Sequence, residues 1–369
     1  MKYLNLIMPC YNEERSLEKL IINKIVPLRN NLKHEDINLL LTVVDDASTD
    51  NSLQIAKKLQ KRFSWITILK HSENQGKGAA LRTGLAQAHG DFIGIQDADE
   101  EYNPADYIKL LQPVLENKAD VVYGSRYLKP DTRRVLSFWH TLMNKFLTFC
   151  SNMFTGLDIT DMETCYKLFT AEAAKELAQK LKENRFGFEP EITSYVAQAK
   201  YRVYECAIEY TPRTYDEGKK ITYRDGFHAL YCILHYGAPY APLPMQFLLY
   251  IFIGGFCAVV NIICFALFLI SGFSLFSNIA LSFLIAAAVN YWLCAVLLFK
   301  HKAFWNGPME LLMYILTLLI MGFCDYSITW GLISIGTGSM LAKLLSSVIC
   351  FIGNFVFRKY LVFPMPKKE

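Results

Sequence analysis

Charge is scarce in the last third of this chain. From about Pro244 to Phe363 the residues Asp, Glu, Lys and Arg nearly vanish, and the apolar runs approach the roughly 20 residues that a bilayer-spanning helix needs. That stretch excludes a wholly soluble protein. Cysteine pairing patterns are missing as well. The ten cysteines are scattered from Cys10 to Cys350 without one CxxC pair, so they read as reduced thiols and small hydrophobes, not as a disulfide framework. No basic tract interleaved with aromatics appears, and a net charge of +4 over 369 residues is modest; nucleic acid is therefore not among the expected partners. The GxxxxGK[ST] phosphate loop is absent. The apolar run Leu4–Met8 is too short for a signal-peptide core and ends at Pro9, which leads to the expectation that the N-terminal part stays in the cytoplasm.

What is present first is alternation. Apolar strand-like runs at Leu4–Met8, Leu39–Val44, Thr67–Lys70, Asp91–Gln96 and Asp120–Tyr123 alternate with helical patterns at Glu14–Ile25, Ser52–Lys61, Gly78–Ala88 and Pro104–Glu116. Thr49-Asp50 supplies a helix-start signal for Ser52–Lys61. This order predicts an α/β domain with a mostly parallel sheet. Such sheets bind ligands beyond the carboxyl ends of their strands. Three strands run straight into polar clusters, Pro9–Glu14, Asp45–Asp50 and Asp97–Glu101, which together make one candidate site.

After the α/β part, Asp225-Gly226 opens a segment in which Phe227, Leu230, Tyr231 and Leu234 share one helical face. It reads as an amphipathic helix on the bilayer surface, with an ordinary packing helix of the soluble part as the alternative. Pro239, Pro242 and Pro244 then break the chain. Four spans follow, near Phe247–Ile270, Ile279–Phe299, Leu311–Ile333 and Leu341–Phe357. Lys300, His301 and Lys302 lie between the second and third spans, and Arg358, Lys359, Lys367 and Lys368 follow the fourth. The segments after the first and third spans carry no charge. Positive residues mark the cytoplasmic side, so the middle loop and both termini are expected there. Asp325 and Lys343 fall inside predicted spans; pairing across the third and fourth spans, or a snorkelling Lys343, would relieve their cost.

The polar clusters suit a particular chemistry. Asp97-Ala98-Asp99 ends an apolar run, with Glu101 just beyond. Carboxylates this close repel unless a cation lies between them, and a hard divalent cation bound by oxygen commonly holds a diphosphate. Asp45 and Asp46 can accept hydrogen bonds from a base or ribose, or can cap the following helix. Asn74-Gln75-Gly76-Lys77-Gly78 opens a helix, where glycine permits close approach and the helix start attracts anions; a plain turn is the alternative. Arg126, Arg133, Arg134, Arg213, Lys219 and Lys220 are phosphate-binding types near the same region, and the two lysines suit a solvated or lipid-facing surface equally well.

In this order, Pro9-Cys10-Tyr11-Asn12-Glu13-Glu14, Val44-Asp45-Asp46-Ala47-Ser48-Thr49-Asp50, Asn74-Gln75-Gly76-Lys77-Gly78 and Asp97-Ala98-Asp99 resemble a family 2 glycosyltransferase of the GT-A fold. Gly124-Ser125-Arg126, the segment Asp161–Lys167 and the segment Arg213–Lys220 resemble its polyprenyl-phosphate branch, typified by dolichol-phosphate mannose synthase. The last third resembles a GtrA-like four-helix membrane domain. The resemblance implies a GT-A (Rossmann-like) domain at 1–224, an interface helix and linker at 225–243, and an all-α membrane domain at 244–369. It implies that Pro9, Tyr11, Asn12, Glu13, Asp45, Asp46, Gly76, Lys77 and Asp97 meet a nucleotide-sugar donor. Asp97, Asp99 and Glu101 would hold Mg²⁺ or Mn²⁺, and Glu101 stands where mannose synthases often carry Gln. Arg126, Arg133 or Arg134, Arg213, Lys219 and Lys220 would meet the phosphate of a polyprenyl lipid, with Asp97, Asp99, Arg126 and Arg213 central to transfer.

Two other readings stay open in the sequence. A processive polysaccharide synthase shares the motifs up to Asp97-Ala98-Asp99 but carries a QxxRW segment that is missing here. A scaffold or lipid-linked sugar translocator would use the membrane part for more than docking. Donor sugar, lipid, metal and any homo-oligomer are not legible. Cys165, Glu163, Glu189 and Glu191 read as packing residues.

Overall fold

The computed structural model describes residues 1–128, 134–212, 223–299 and 307–364. Arg133, Arg213, Lys219, Lys220, the loop cations Lys300, His301 and Lys302, and the tail lysines Lys367 and Lys368 lie outside the described residues, as does the side chain of Lys343. The chain divides into two compact units, Met1–Tyr240 and Ala241–Glu369.

Seven strands form the first unit's sheet: β1 Lys2–Cys10, β2 Ile37–Asp45, β3 Ile66–Lys70, β4 Phe92–Ile95, β5 Val121–Ser125, β6 Lys167–Thr170 and β7 Val203–Ala207. Their order is β3-β2-β1-β4-β6-β5-β7. The first four run parallel, as the alternation predicts. β6 enters antiparallel between β4 and β5, and β7 pairs parallel with β5. This is the mixed α/β sheet of a GT-A fold. The sequence pattern misses β6 because it has four residues and begins on a buried lysine, and it misses the partly exposed edge strand β7.

β1, β2 and β4 are apolar on both faces because helices cover both sides of the sheet. The one polar pair in that interior satisfies itself, with Thr42 Oγ1 donating to Asn5 Oδ1 at 3.1 Å. Two tyrosines pin the carboxyl end of β4: Tyr107 Oη donates to the Ile95 carbonyl at 2.5 Å, and Tyr166 Oη donates to Gln96 Oε1 at 2.6 Å. Gly94 makes room for this, since a Cβ there would lie 2.6 Å from the Tyr107 ring. The residue after this pinned end is Asp97.

Helix Tyr223–Gly237 packs Ala229, Cys232, Ile233 and Tyr236 into this unit, against helices Phe138–Thr155 and Phe188–Ala199. The face expected to meet lipid is the other one, where Phe227 and Tyr231 are exposed.

In the second unit the helices are Leu243–Ile270, Leu275–Leu293, Gly307–Ser334 and Ser339–Phe357. Among the described residues four helices are long and apolar enough to span a bilayer, with mean hydropathy from 2.6 for the first to 1.4 for the fourth. The second and fourth helices close in wider turns, Cys294–Leu298 and Arg358–Val362. Tyr250, Cys294, Leu298, Tyr314, Phe355 and Val362 share one core drawn from all four. Asp325 accepts a hydrogen bond from Ser346 Oγ at 2.7 Å, so the third and fourth helices are bridged there by a hydroxyl.

Candidate functional site

The loops after β1, β2 and β4 meet at one end of the sheet, where the topology puts ligands. Asn12 adopts φ 55, which Asn tolerates better than most residues. Its side chain is taken up locally: Oδ1 accepts from the Thr49 amide at 2.8 Å, and the Asn12 amide donates to Ser48 Oγ at 3.2 Å. The Glu13 amide donates to Ser52 Oγ at 2.8 Å. These bonds lace the β1 loop to the β2 loop. Helix capping at Ser52 falls to Asp50, whose Oδ1 accepts the Ser52 amide at 2.9 Å.

Asp45 and Asp46, one residue apart, are used in opposite ways. Asp46 is fully engaged: it accepts from the amides of Gln75 (2.9 Å) and Gly76 (2.7 Å) and pairs with His71 Nδ1 at 2.7 Å. His71 in turn meets Thr83 Oγ1 at 2.9 Å. Asp46 therefore clamps the glycine loop, and His71, which the sequence reading passes over, completes the clamp. Asp45 is equally buried, yet among the described residues neither carboxylate oxygen has a hydrogen-bond partner. A buried bare carboxylate is costly and calls for a donor.

The glycine loop lies against a distant segment. A Cβ on Gly76, at φ +98, would sit 2.4 Å from the Asn184 carbonyl, and one on Gly78 would sit 2.5 Å from the Glu183 carbonyl. Arg82 donates to the Lys182 carbonyl at 2.7 Å and to Asn184 Oδ1 at 2.8 Å. This brings Arg185 and Phe186 to the rim of a cleft of ≈ 360 Å³. Sequence reading missed both, because nothing in a glycine motif names the chain that approaches it. It missed the role of Tyr210 too.

Pro9, Tyr11, Glu13, Asp46, Gly76, Lys77, Asp97, Asp99 and Glu101 line this cleft, nine of the expected residues in one place. Lys77 Nζ lies 2.8 Å from Asp97 Oδ1. Burial alone would lower the lysine pKa, but Asp97 outweighs it and holds the amine well above its usual range. Asp99 Oδ1 accepts the Glu101 amide at 3.1 Å, and Glu101 Oε2 accepts from Tyr210 Oη at 2.9 Å. Asp97, Asp99 and Glu101 gather hard oxygen donors in one cleft, which fits a divalent cation of the Mg²⁺ or Mn²⁺ kind.

Asn12, Asp45, Arg126 and Arg134 do not line the cleft. Arg126 is buried in a two-pronged pair with Asp161, Nε to Oδ2 at 2.7 Å and Nη2 to Oδ1 at 2.8 Å. Its guanidinium also lies 5.1 Å from the Tyr210 ring centroid, one aromatic side chain away from Glu101. Arg134 is exposed ahead of helix Phe138–Thr155. Below these, Lys167 Nζ is buried against Glu189 and also donates to the Met162 carbonyl at 3.3 Å.

Residues 5–178 match the family model described as "Glycosyl transferase family 2", and residues 249–363 match "GtrA/DPMS, transmembrane domain". The chain is 26% identical over 248 residues to a UDP-N-acetylglucosamine–dolichyl-phosphate N-acetylglucosaminyltransferase of Methanococcus voltae, covering 63% of this chain and 95% of that protein. It is 30% identical over 218 residues to a dolichyl-phosphate beta-glucosyltransferase of Trichomonas vaginalis, covering 56% of this chain and 65% of that one. With the dolichyl-phosphate beta-glucosyltransferase of Homo sapiens it shares 29% identity over 221 residues, 57% of this chain and 68% of that one.

Proposed function

Because this chain joins a glycosyl transferase family 2 domain to a GtrA/DPMS membrane domain, we propose that it moves a hexose from a nucleoside diphosphate sugar to a polyprenyl phosphate. The product is a β-linked polyprenyl-phosphate sugar made at the cytoplasmic membrane face. The observation that carries this reading is the cleft lined by Asp97, Asp99 and Glu101, with Lys77 paired to Asp97. Donors of the GDP-mannose and UDP-glucose types both fit, and the dolichyl-phosphate relatives support dolichyl or undecaprenyl phosphate as acceptor.

The acceptor explains the residues. A phosphate monoester is already anionic at neutral pH and needs no general base. The obstacle is bringing one anion to another. Two unit charges about 4 Å apart repel by roughly 4 kcal/mol at an effective dielectric near 20. Asp97, Asp99 and Glu101 would hold Mg²⁺ or Mn²⁺, which supplies neutralising charge to the leaving diphosphate. Lys77 adds a fixed cation at the same place, and Asp45 offers its bare oxygens to a donor hydrogen such as a base N–H or ribose hydroxyl. Arg133 or Arg134, Arg213, Lys219 and Lys220 are assigned to the incoming phosphate, and Arg126, held by Asp161, supports it by positioning Tyr210 beside Glu101. One acceptor oxygen attacks the anomeric carbon as the bond to the diphosphate breaks, so an α-linked donor yields a β-linked product.

The soluble unit also carries a surface suited to a lipid acceptor. On helix Phe138–Thr155 the side chains of Phe138, Trp139, Leu142, Phe146 and Phe149 are exposed on one apolar face, and Phe227 and Tyr231 are exposed on a helix packed beside it. In the sequence, Lys300 and Lys302 between the second and third spans, and Lys367 and Lys368 beyond the fourth, support a cytoplasmic position for the catalytic unit.

The test is sugar transfer by the full-length protein in detergent, with polyprenyl phosphate, a panel of nucleotide sugars and one metal at a time. Asp99→Ala is expected to lower transfer by about 10²-fold or more. Undiminished transfer by that variant would overturn the reading, and the panel identifies the sugar.

A further inference from the structure

Behind the cleft wall stands a second set of metal-ligand side chains. His228 and Cys232 lie one turn apart on helix Tyr223–Gly237, and Glu183 comes to them from the segment before helix Phe188–Ala199. His228 Nε2 is 2.9 Å from Glu183 Oε2, and Cys232 Sγ is 3.5 Å from His228 Nε2. All three ligand atoms lie within 4.8 Å of one another. We propose that Glu183, His228 and Cys232 form a binding site for one zinc-type transition-metal ion.

The donor set supports it. One imidazole, one thiolate and one carboxylate suit a borderline metal, whereas the all-oxygen set of Asp97, Asp99 and Glu101 suits a hard one. Zinc with bond lengths of about 2.0–2.3 Å in a tetrahedron separates its ligands by roughly 3.4 Å. The Cys232–His228 spacing already meets that. The His228–Glu183 contact needs to open by about half an ångström, within reach of a side chain 44% exposed. The fourth position belongs to water.

The surroundings support it too. Tyr236, one further turn along the helix, donates to Glu183 Oε1 at 2.9 Å and fixes the carboxylate from behind, as outer-sphere partners of metal ligands do. Glu191 accepts the amides of Lys182 (2.9 Å) and Glu183 (2.8 Å) and anchors the segment that carries the ligand. Gly187 is the enabling residue: a Cβ there would stand 2.6 Å from Glu183 Oε2 and 2.7 Å from Cys232 Sγ. Without a metal, burial and then Glu183 push the Cys232 thiol up. Metal binding would release that thiol proton to solvent and form the metal–sulfur bond. The consequence reaches the donor cleft. Arg185 and Phe186, two and three residues after Glu183, line it. An ion at this site would tie that wall to helix Tyr223–Gly237.

Full-length protein in detergent, stripped with chelator and titrated with Co²⁺, tests this. The expected result is one equivalent bound with a thiolate-to-cobalt charge-transfer band in the near ultraviolet, displaced by Zn²⁺. The oxygen-only carboxylate site cannot give that band. Cys232→Ser should abolish it, and His228→Gln should weaken binding about tenfold or more. His228→Gln changes a half-exposed residue and guards against a misfolded cysteine variant. No band from the wild type, an unchanged band in Cys232→Ser, or unchanged affinity in His228→Gln would overturn the assignment.

Discussion

The two units bury their cations in different company. In the first unit Lys167 meets Glu189 and Arg126 meets Asp161, each cation facing a buried carboxylate. In the membrane unit Arg358 is equally buried but faces neutral groups: Asn290 Oδ1, Cys294 Sγ at 3.6 Å, Tyr314 Oη at 3.4 Å, and the rings of Tyr250 and Tyr314 at 5.4 and 4.9 Å. Among the described residues no carboxylate pairs with it. A buried ion pair desolvates two charges and depends on both staying; a guanidinium among dipoles and aromatic faces desolvates one. The first arrangement fixes geometry beside a reactive cleft. The second ties four helices with one side chain.

The sharpest way to break this comparison is Lys167→Met. It strands Glu189 as an unpaired buried carboxylate, one of whose oxygens already lacks a partner among the described residues, and removes the bond to the Met162 carbonyl. A loss of about 3–5 kcal/mol is expected. Reactivity of the buried Cys165 thiol in denaturant, resolved by peptide mapping, reports it. Adding Glu189→Leu should recover most of the loss; a double variant as unstable as the single one would show that the pair is not the unit.

Next in size is a pH effect. Glu163 sits between the two buried pairs; burial first, and then Glu189, push its carboxyl from 4.5 to about 7, and its Oε1 has no partner among the described residues. The folded state thus holds a proton that the unfolded state releases. The resulting stability is full below about pH 4.5 and is lost as pH rises to about 7. Glu163→Gln should remove that share of the decline, on the order of 3 kcal/mol at 1.36 kcal/mol per pKa unit. Unfolding midpoints at either end of the window measure it. An equally steep decline in the variant would rule out Glu163 as the titrating group.

Gly76→Ala should come third, at about 2 kcal/mol. It combines a strained φ of +98 with a Cβ 2.4 Å from the Asn184 carbonyl. Because Asp46 holds the same loop and Arg185 follows the same carbonyl, donor affinity should fall with stability. A stable variant with unchanged donor binding would mean that the wall moves freely.

Legibility followed the range of the interaction. The carboxylates after β4 could be read because strand and polar cluster adjoin in sequence, and the same holds for Pro9–Glu13 after β1. The type of Arg126 was legible, but Asp161, 35 residues on, was not, so a side chain expected at a phosphate proves to be held by a carboxylate. The pattern Gly76-Lys77-Gly78 announced a close approach without naming residues 183–185 as what approaches. β6 escaped notice because a four-residue strand starting on Lys167 makes sense only once Glu189 stands beside it. Arg358 looked like a cytoplasmic tail charge, since Tyr250 and Tyr314 come from two other helices.

Arg358→Met is the smallest expected effect and the one that decides the comparison. The substitution removes a charge from an apolar setting and leaves no ion behind. Asn290 and Tyr314 lose a hydrogen-bond partner each, at roughly 1 kcal/mol apiece, and the apolar methionine returns part of that by filling the space among Tyr250, Tyr314 and Cys294. A net loss of about 1 kcal/mol is expected, read from the labelling of buried Cys257 in the membrane unit under the conditions used for Lys167→Met. A loss as large as that of Lys167→Met would mean that Arg358 is balanced by a negative charge after all. The contrast between the two units would then be one of partner identity, not of principle.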